Sequence, residues 1–298
     1  MAKKDESFAP TFKIEDVGEW PVILEYADPK PTSNQGRVRR ELVRLYEEHH
    51  IDGTLPTSSR FLFYELVARK IIAKDAGQRP DQIVIKALTQ LREWGVIPWE
   101  AIVDETREVS NFTGSATVAG DLLLYLGAAR LDPWDGKPPL ILTESRSLAG
   151  ALRDLAREYR INIAATNGRT NGFLRTKLAR AVTADTRIGY LGDFDFAGGH
   201  IEDNTRRVLA SVTGGTDWER LALTEDQVRD YALPIIRKKD GRDGIERDAV
   251  ETEALGQAVI TQVVRDWLDG MLRAPIESYV EREREERERL RELIEGEE

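Results

Sequence analysis

The sequence predicts an α/β protein with a helical front domain, a doubly wound and mainly parallel sheet behind it, and a helical C-terminal region. Three observations predict it. Apolar residues recur at helical spacing three times between residues 37 and 94. Short apolar runs at 140–143, 161–166 and 187–191 then alternate with helical patterns at 147–159 and 174–182, the order of a βαβαβ unit. After residue 235 the pattern returns to helix, ending in a charged tail.

Residues 1–36 read as an irregular arm, punctuated by Pro10, Pro21, Pro29 and Pro31 and closed by a polar loop at 32–36. The spacing of Val38, Leu42, Val43 and Tyr46 predicts a helix that Asp52, Gly53 and Pro56 end. Thr57, Ser58 and Ser59 offer an N-cap for a second helix over 60–72, and a third runs over 81–94 and stops at Gly95. The apolar stretch 96–103 reads as a strand or wing, so residues 37–110 form a winged-helix-like domain. Residues 111–137 make a connector with one helix, and 138–235 carry the parallel sheet with right-handed crossovers. Residues 236–298 hold a basic loop at Arg237, Lys238 and Lys239, a helix-like stretch over 250–272, and the tail. Pairs such as Glu283/Arg287 and Glu285/Arg289 suit a solvated helix there.

A chain of 298 residues fits about two domains. It has no cysteine, which excludes disulfides, a thiolate nucleophile, an iron–sulfur cluster and a Cys-based zinc site. The first 20 residues lack an apolar core, and no apolar run approaches the roughly 20 residues a bilayer requires. The expectation is a cytoplasmic protein without a membrane span, nucleoid-associated in a prokaryote. With 43 basic and 53 acidic residues, the net charge of −10 repels DNA overall. Between Arg37 and Arg92, however, eleven Lys/Arg face seven Asp/Glu. A nucleic-acid role therefore needs a local basic face, with Arg37, Arg39, Arg40, Arg44, Arg60, Arg69, Lys70 and Lys74 as its phosphate contacts.

Groups that do chemistry in open parallel sheets gather beyond the carboxyl ends of the strands. Glu144 follows the first apolar run, and Asp193 and Asp195 follow the third, inside a Gly-Asp-Phe-Asp-Phe-Ala-Gly-Gly stretch at 192–199. The three converge at one sheet edge. Like charges there repel unless a cation neutralises them or a pKa rises. Oxygen-only ligands suit Mg2+ or Mn2+. Gly192, Gly198 and Gly199 would let a phosphate backbone approach closely. The alternative is a plain acidic turn, with Asp195 capping the helix that follows. A haloacid-dehalogenase-type phosphatase places its Asp-x-Asp after the first strand rather than the third, and the dinucleotide fingerprint G-x-G-x-x-G is absent.

This Glu…Asp-x-Asp pattern, with a Gly/Asn loop between, resembles the Toprim domain. More closely, it resembles the Toprim domain in the A-type, DNA-cleaving component of topoisomerase VI and in its stand-alone mini-A relatives. The resemblance covers roughly residues 55–210. It implies Glu144, Asp193 and Asp195 as magnesium ligands, Glu144 also acting in catalysis, and Gly168 or Gly172 as the loop glycine. Ser145 stands where the family often has Lys, and Phe196 where it often has Pro, which puts phosphate contacts near Ser145 in doubt. The same family carries its cleaving tyrosine in an Arg-x-x-(Phe/Tyr)-Tyr motif of a winged-helix domain, matched here by Arg60, Phe63 and Tyr64. It further implies type IIB, topoisomerase-like cleavage of double-stranded DNA by a homodimer, with a separate ATPase component for strand passage.

The tyrosine chemistry is coherent. A tyrosine oxygen can attack a phosphodiester and store the bond as phosphotyrosine. A phenol titrates near 10, so attack at neutral pH needs local activation. Arg60 and Tyr64 are four apart and share a helix face. A tyrosine in so apolar a helix is ordinarily core, and two other functions stay open: a Toprim-type nuclease using metal-bound water, or a non-catalytic DNA-binding protein. His49, His50 and His200 show no metal or triad spacing.

Overall fold

Where the sequence reads as an irregular arm, the chain forms an antiparallel ribbon of β1 (Thr11–Glu15) and β2 (Val22–Ala27). The computed structural model describes residues 9–73, 80–103, 117–167, 171–239 and 244–295. The ribbon escapes pattern reading because Ile23 is its one fully buried side chain, so no alternation of apolar residues marks it. It is held from outside. Tyr46, on helix α1 (Asn34–Ile51), donates its hydroxyl to the Pro21 carbonyl at 2.7 Å.

α1 starts at its N-cap Ser33, whose Oγ accepts the Gly36 N–H at 2.9 Å. A two-residue strand β3 (Thr57–Ser58) leads into α2 (Ser59–Ala68), capped by Ser58, and α3 (Asp81–Glu93) follows. The three helices bury Leu42, Tyr46, Leu66, Val84, Leu91 and Ile97 in one core. The stretch expected as strand or wing yields only β4 (Ile102–Val103), paired in parallel with β3. Among the described residues no antiparallel wing follows α3.

A connector helix α4 (Val118–Ala128) precedes the sheet. Then come β5 (Leu140–Thr143), α5 (Arg146–Ala151), α6 (Arg153–Glu158), β6 (Asn162–Ala165), α7 (Asn171–Thr176), β7 (Arg187–Leu191), α8 (Phe196–Thr213) and β8 (Asp217–Ala222). The strands lie in the order β6-β5-β7-β8, all parallel. The chain thus turns one way after β5 and the other way after β7, which makes the gap between their carboxyl ends the switch point of the sheet. The helix expected over 147–159 breaks at Leu152 into α5 and α6. β8 has no apolar run to announce it, because it lies at the sheet edge and stays exposed or half-exposed until Leu221 and Ala222.

Beyond α9 (Glu225–Asp230), the expected basic loop at 237–239 is instead strand β9 (Ile236–Lys239), antiparallel to β10 (Glu246–Ala249). A 3-10 turn (Thr252–Leu255) and helices α10 (Gln257–Asp269) and α11 (Ile276–Glu295) complete the chain. α10 packs Ile260, Val264 and Leu268 into the sheet core beside Ile141 and Leu191, and Phe61 of α2 enters that core too. Gln257 donates to the carbonyls of Thr54 (2.7 Å) and Pro56 (3.2 Å), and accepts from Thr57 Oγ1 at 2.5 Å, stitching the helical domain to the sheet. The charged tail is not solvated all round: Glu283 is buried and receives Arg160, Arg287 and the Leu131 N–H. Among the described residues no helix is long and apolar enough to cross a membrane.

One expected DNA contact is structural. Arg39 is 3% exposed and grips Asp28 through two bonds, Nε–Oδ2 at 2.6 Å and Nη2–Oδ1 at 2.8 Å, with Nη1 on Gln90 at 2.7 Å. It cannot reach a phosphate. Removing one partner would leave an uncompensated buried charge. Asp28→Ala should therefore lower unfolding free energy by about 3–5 kcal/mol, and Asp28→Ala/Arg39→Met by clearly less, measured by urea unfolding.

Candidate metal centre

The switch point gathers the acidic residues. Glu144 directly follows β5 and sends its backbone N–H to Leu191 O at 2.9 Å; its Oε2 accepts the Asp193 N–H at 3.2 Å. Asp193 follows β7. The next residue, Phe194, forms a two-way bridge with Val250, both bonds at 2.9 Å. That bridge carries the end of β10 across the sheet edge and delivers Glu251, Thr252 and Glu253 beside Asp193. Thr252 donates its N–H (2.9 Å) and hydroxyl (3.1 Å) to Asp193 Oδ1.

One oxygen from each of Asp193, Glu251 and Glu253 lies within 4.8 Å of the others, the geometry of a divalent-cation site. Glu253 is 1% exposed, and its Oε2 is fully buried with no hydrogen-bond donor. An orphaned anionic oxygen aimed at two other carboxylates fits a missing cation. Its Oε1 accepts from Ser145 at 2.9 Å, so the residue that departs from the family pattern orients a carboxylate here.

Two fixed cations brace the cluster. Arg60 Nη2 lies 2.5 Å from Glu251 Oε2, and its Nε lies 2.9 Å from Glu253 Oε1 at an angle that makes no hydrogen bond. Lys238 Nζ bridges Glu251 Oε1 (2.8 Å) and Asp195 Oδ2 (3.0 Å). Burial and the charges of Glu251, Glu253 and Glu144 push the Asp193 carboxyl up to about 8. Burial likewise raises Glu144. Burial opposes ionisation of Glu251 as well, but Lys238 and Arg60 outweigh it and hold the group low, at about 2.

The expected set Glu144, Asp193 and Asp195 is thus only partly assembled. Glu144 and Asp193 are neighbours and line one cleft of about 210 Å³ with Arg60 and Glu253. Asp195 faces away from the close triad: its Oδ1 caps α8 through the Gly198 N–H at 2.5 Å and its Oδ2 takes Lys238. It belongs to a capping turn, because the two carboxylates of an extended Asp-x-Asp point to different sides. Gly198 serves that turn, since a Cβ there would stand 2.6 Å from Asp193 O; at Gly192 it would meet the Tyr190 ring at 2.5 Å. Gly168 lies outside the described residues. Glu251, Glu253 and Lys238 were missed because 250–272 reads as one helix, in which Glu251 and Glu253 would diverge. The available signal was the Glu-x-Glu immediately after the apolar pair Ala249-Val250.

Tyr64 is 7% exposed, set edge-on to Phe63 with ring centroids 5.2 Å apart. It lines a cleft of about 380 Å³ together with Arg60 and Glu251. Burial, then the charge of Glu251, pushes its phenol well above the ordinary range, against the opposing pull of Arg60. The proposed basic face is thinner than the sequence suggests. Arg37, Arg40, Arg44 and Lys70 are exposed, but Arg44 pairs with Glu41, Arg69 pairs with Glu48, Arg39 is buried, and Lys74 lies outside the described residues. Comparison with family models, curated proteins and solved structures finds no match to this chain.

The centre makes stability depend on pH. Folded Asp193 holds its proton to about 8, whereas an unfolded aspartate releases it near 3.8, so the folded state binds the extra proton between those values. Raising the pH through that window weakens folding. With chelator present, melting temperature should fall by several degrees from pH 6 to 8.5, at roughly 2–4 °C per kcal/mol. The slope should flatten in Asp193→Asn, and Mg2+ at pH 8.5 should restore the parent's melting temperature.

Proposed function

We propose that this chain is a divalent-cation-dependent, DNA-strand-cleaving protein of the topoisomerase VI A type, acting through Tyr64. The observation that carries the reading is the meeting of two motifs far apart in the chain. The arginine of Arg-x-x-Phe-Tyr lies against the carboxylates beyond β7, with Arg60 on Glu251 and Glu253. Nothing in helix packing alone requires that arginine to face that sheet edge.

Asp193, Glu251 and Glu253 would hold Mg2+ or Mn2+, with Glu144 in the same acidic surroundings. Bound there, the ion would supply positive field for a phosphate and offset the carboxylates that hold the Tyr64 phenol protonated. The chain's own groups do the rest. Arg60, 39% exposed at its side chain, is positioned to pair with a phosphate oxygen as charge develops. The Tyr64 oxygen gives up its proton and bonds to phosphorus, while the bond from phosphorus to the leaving deoxyribose oxygen breaks and that oxygen takes a proton. The energy of the broken ester is kept in the phosphotyrosine, so religation needs no ATP. Tyr64, Arg60 and the carboxylates come from one chain, so this reading does not need a second copy to complete the site. Homodimerisation and an ATPase partner follow from the family resemblance.

The burial of Tyr64 favours a second reading, in which water rather than tyrosine attacks and the phenol is packing. Supercoiled plasmid incubated with Mg2+ and stopped with detergent separates the two. Transesterification leaves protein covalently joined to nicked DNA, lost in Tyr64→Phe; hydrolysis leaves free nicked ends that survive that change. Asp193→Ala should abolish either product, and Arg60→Ala should reduce it by roughly 100-fold. Parent protein that cuts nothing with Mg2+ or Mn2+ overturns both.

A further inference from the structure

Lys238 occupies a place where a second cation would otherwise sit. Two-metal phosphoryl-transfer sites hold their ions about 3.5–4 Å apart across a shared carboxylate. Here the shared carboxylate is Glu251. It contributes an oxygen to the close triad with Asp193 and Glu253, and its Oε1 lies 2.8 Å from Lys238 Nζ. The ammonium's other contact is Asp195 Oδ2 at 3.0 Å, the carboxylate that stands outside the triad. We propose that the Lys238 ammonium is a built-in substitute for the second metal ion, so that the centre binds one divalent cation and not two. The inference rests on the metal-centre reading above.

Three features support it. The vacant demand lies on one side only: the buried, unpartnered oxygen belongs to Glu253, away from Lys238, whereas both acidic contacts of the lysine are satisfied. The lysine is fixed by backbone pairing. Lys238 sits in β9 opposite Arg247 of β10, and the same hairpin runs on through Ala249 and Val250 into Glu251, so ammonium and bridging carboxylate are carried by one rigid element. Charge counting agrees. Glu144, Asp193, Asp195, Glu251 and Glu253 face only Arg60 and Lys238, an excess of three negative charges that one divalent ion brings to a single charge. A second would reverse the sign before any phosphate arrived. A lysine in this place also needs no dehydrated coordination shell and does not leave with chelator.

The test is a Mn2+ titration of the full chain, with free ion read by electron paramagnetic resonance and heat by calorimetry, on the parent, Lys238→Met and Lys238→Gln. The parent should bind one Mn2+ per chain, and each variant should gain a second, lost again when Asp195→Asn is added. A parent that binds two ions overturns the inference, as does a folded Lys238→Met or Lys238→Gln that still binds one. The parent stoichiometry decides the first point whether or not either variant folds. No binding by any of them overturns the metal centre itself, a different result from two ions in the parent.

Discussion

Mutual repulsion among carboxylates at the end of a parallel sheet is the constraint that organises this molecule. Glu144, Asp193, Glu251 and Glu253 stand in a partly buried space that would drive them apart if they were alone. The fold contains them with a guanidinium from the helical domain, an ammonium from the β9–β10 hairpin and a proton on Asp193. Each is a partial answer, and Glu253 Oε2 is left without a partner.

That containment explains why the domains adhere. α2 straddles two cores: Phe61 is packed with the sheet, while Leu62, Phe63 and Tyr64 belong to the helical core. Arg60, one residue before Phe61, is consequently delivered to the sheet edge rather than to solvent. Gln257 reinforces the joint from the other side by binding the backbone of the segment that leads into α2. The arginine that best suits a phosphate therefore doubles as a structural cation, and phosphate must compete with Glu251 and Glu253 for it.

Much of the fold is legible in the chain. β5, β6 and β7 follow from short apolar runs, and the caps Ser33 and Ser58 are of the residue types that start helices. The unforeseen elements share a reason. The N-terminal ribbon, β8 and the β9–β10 hairpin are edge or two-stranded elements whose side chains are largely exposed, so no period of burial is written into them. The broken helix at Leu152 and the buried Glu283 on a charged tail likewise depend on what lies opposite them.

The site divides along the same line. The sequence by itself determined that Glu144 and Asp193 end adjacent strands, because strand ends are set by local apolar runs and their parallel order by the alternation with helices. It likewise set Arg60 and Tyr64 on one helix face, since four-residue spacing is a local property. Only the tertiary structure decided that Glu251, Glu253 and Lys238 join them, that Asp195 turns aside to cap α8, and that Arg39 is buried. Those outcomes depend on a backbone bridge between residues 194 and 250 and on packing between distant segments, and contacts at such separation leave no periodicity in the chain.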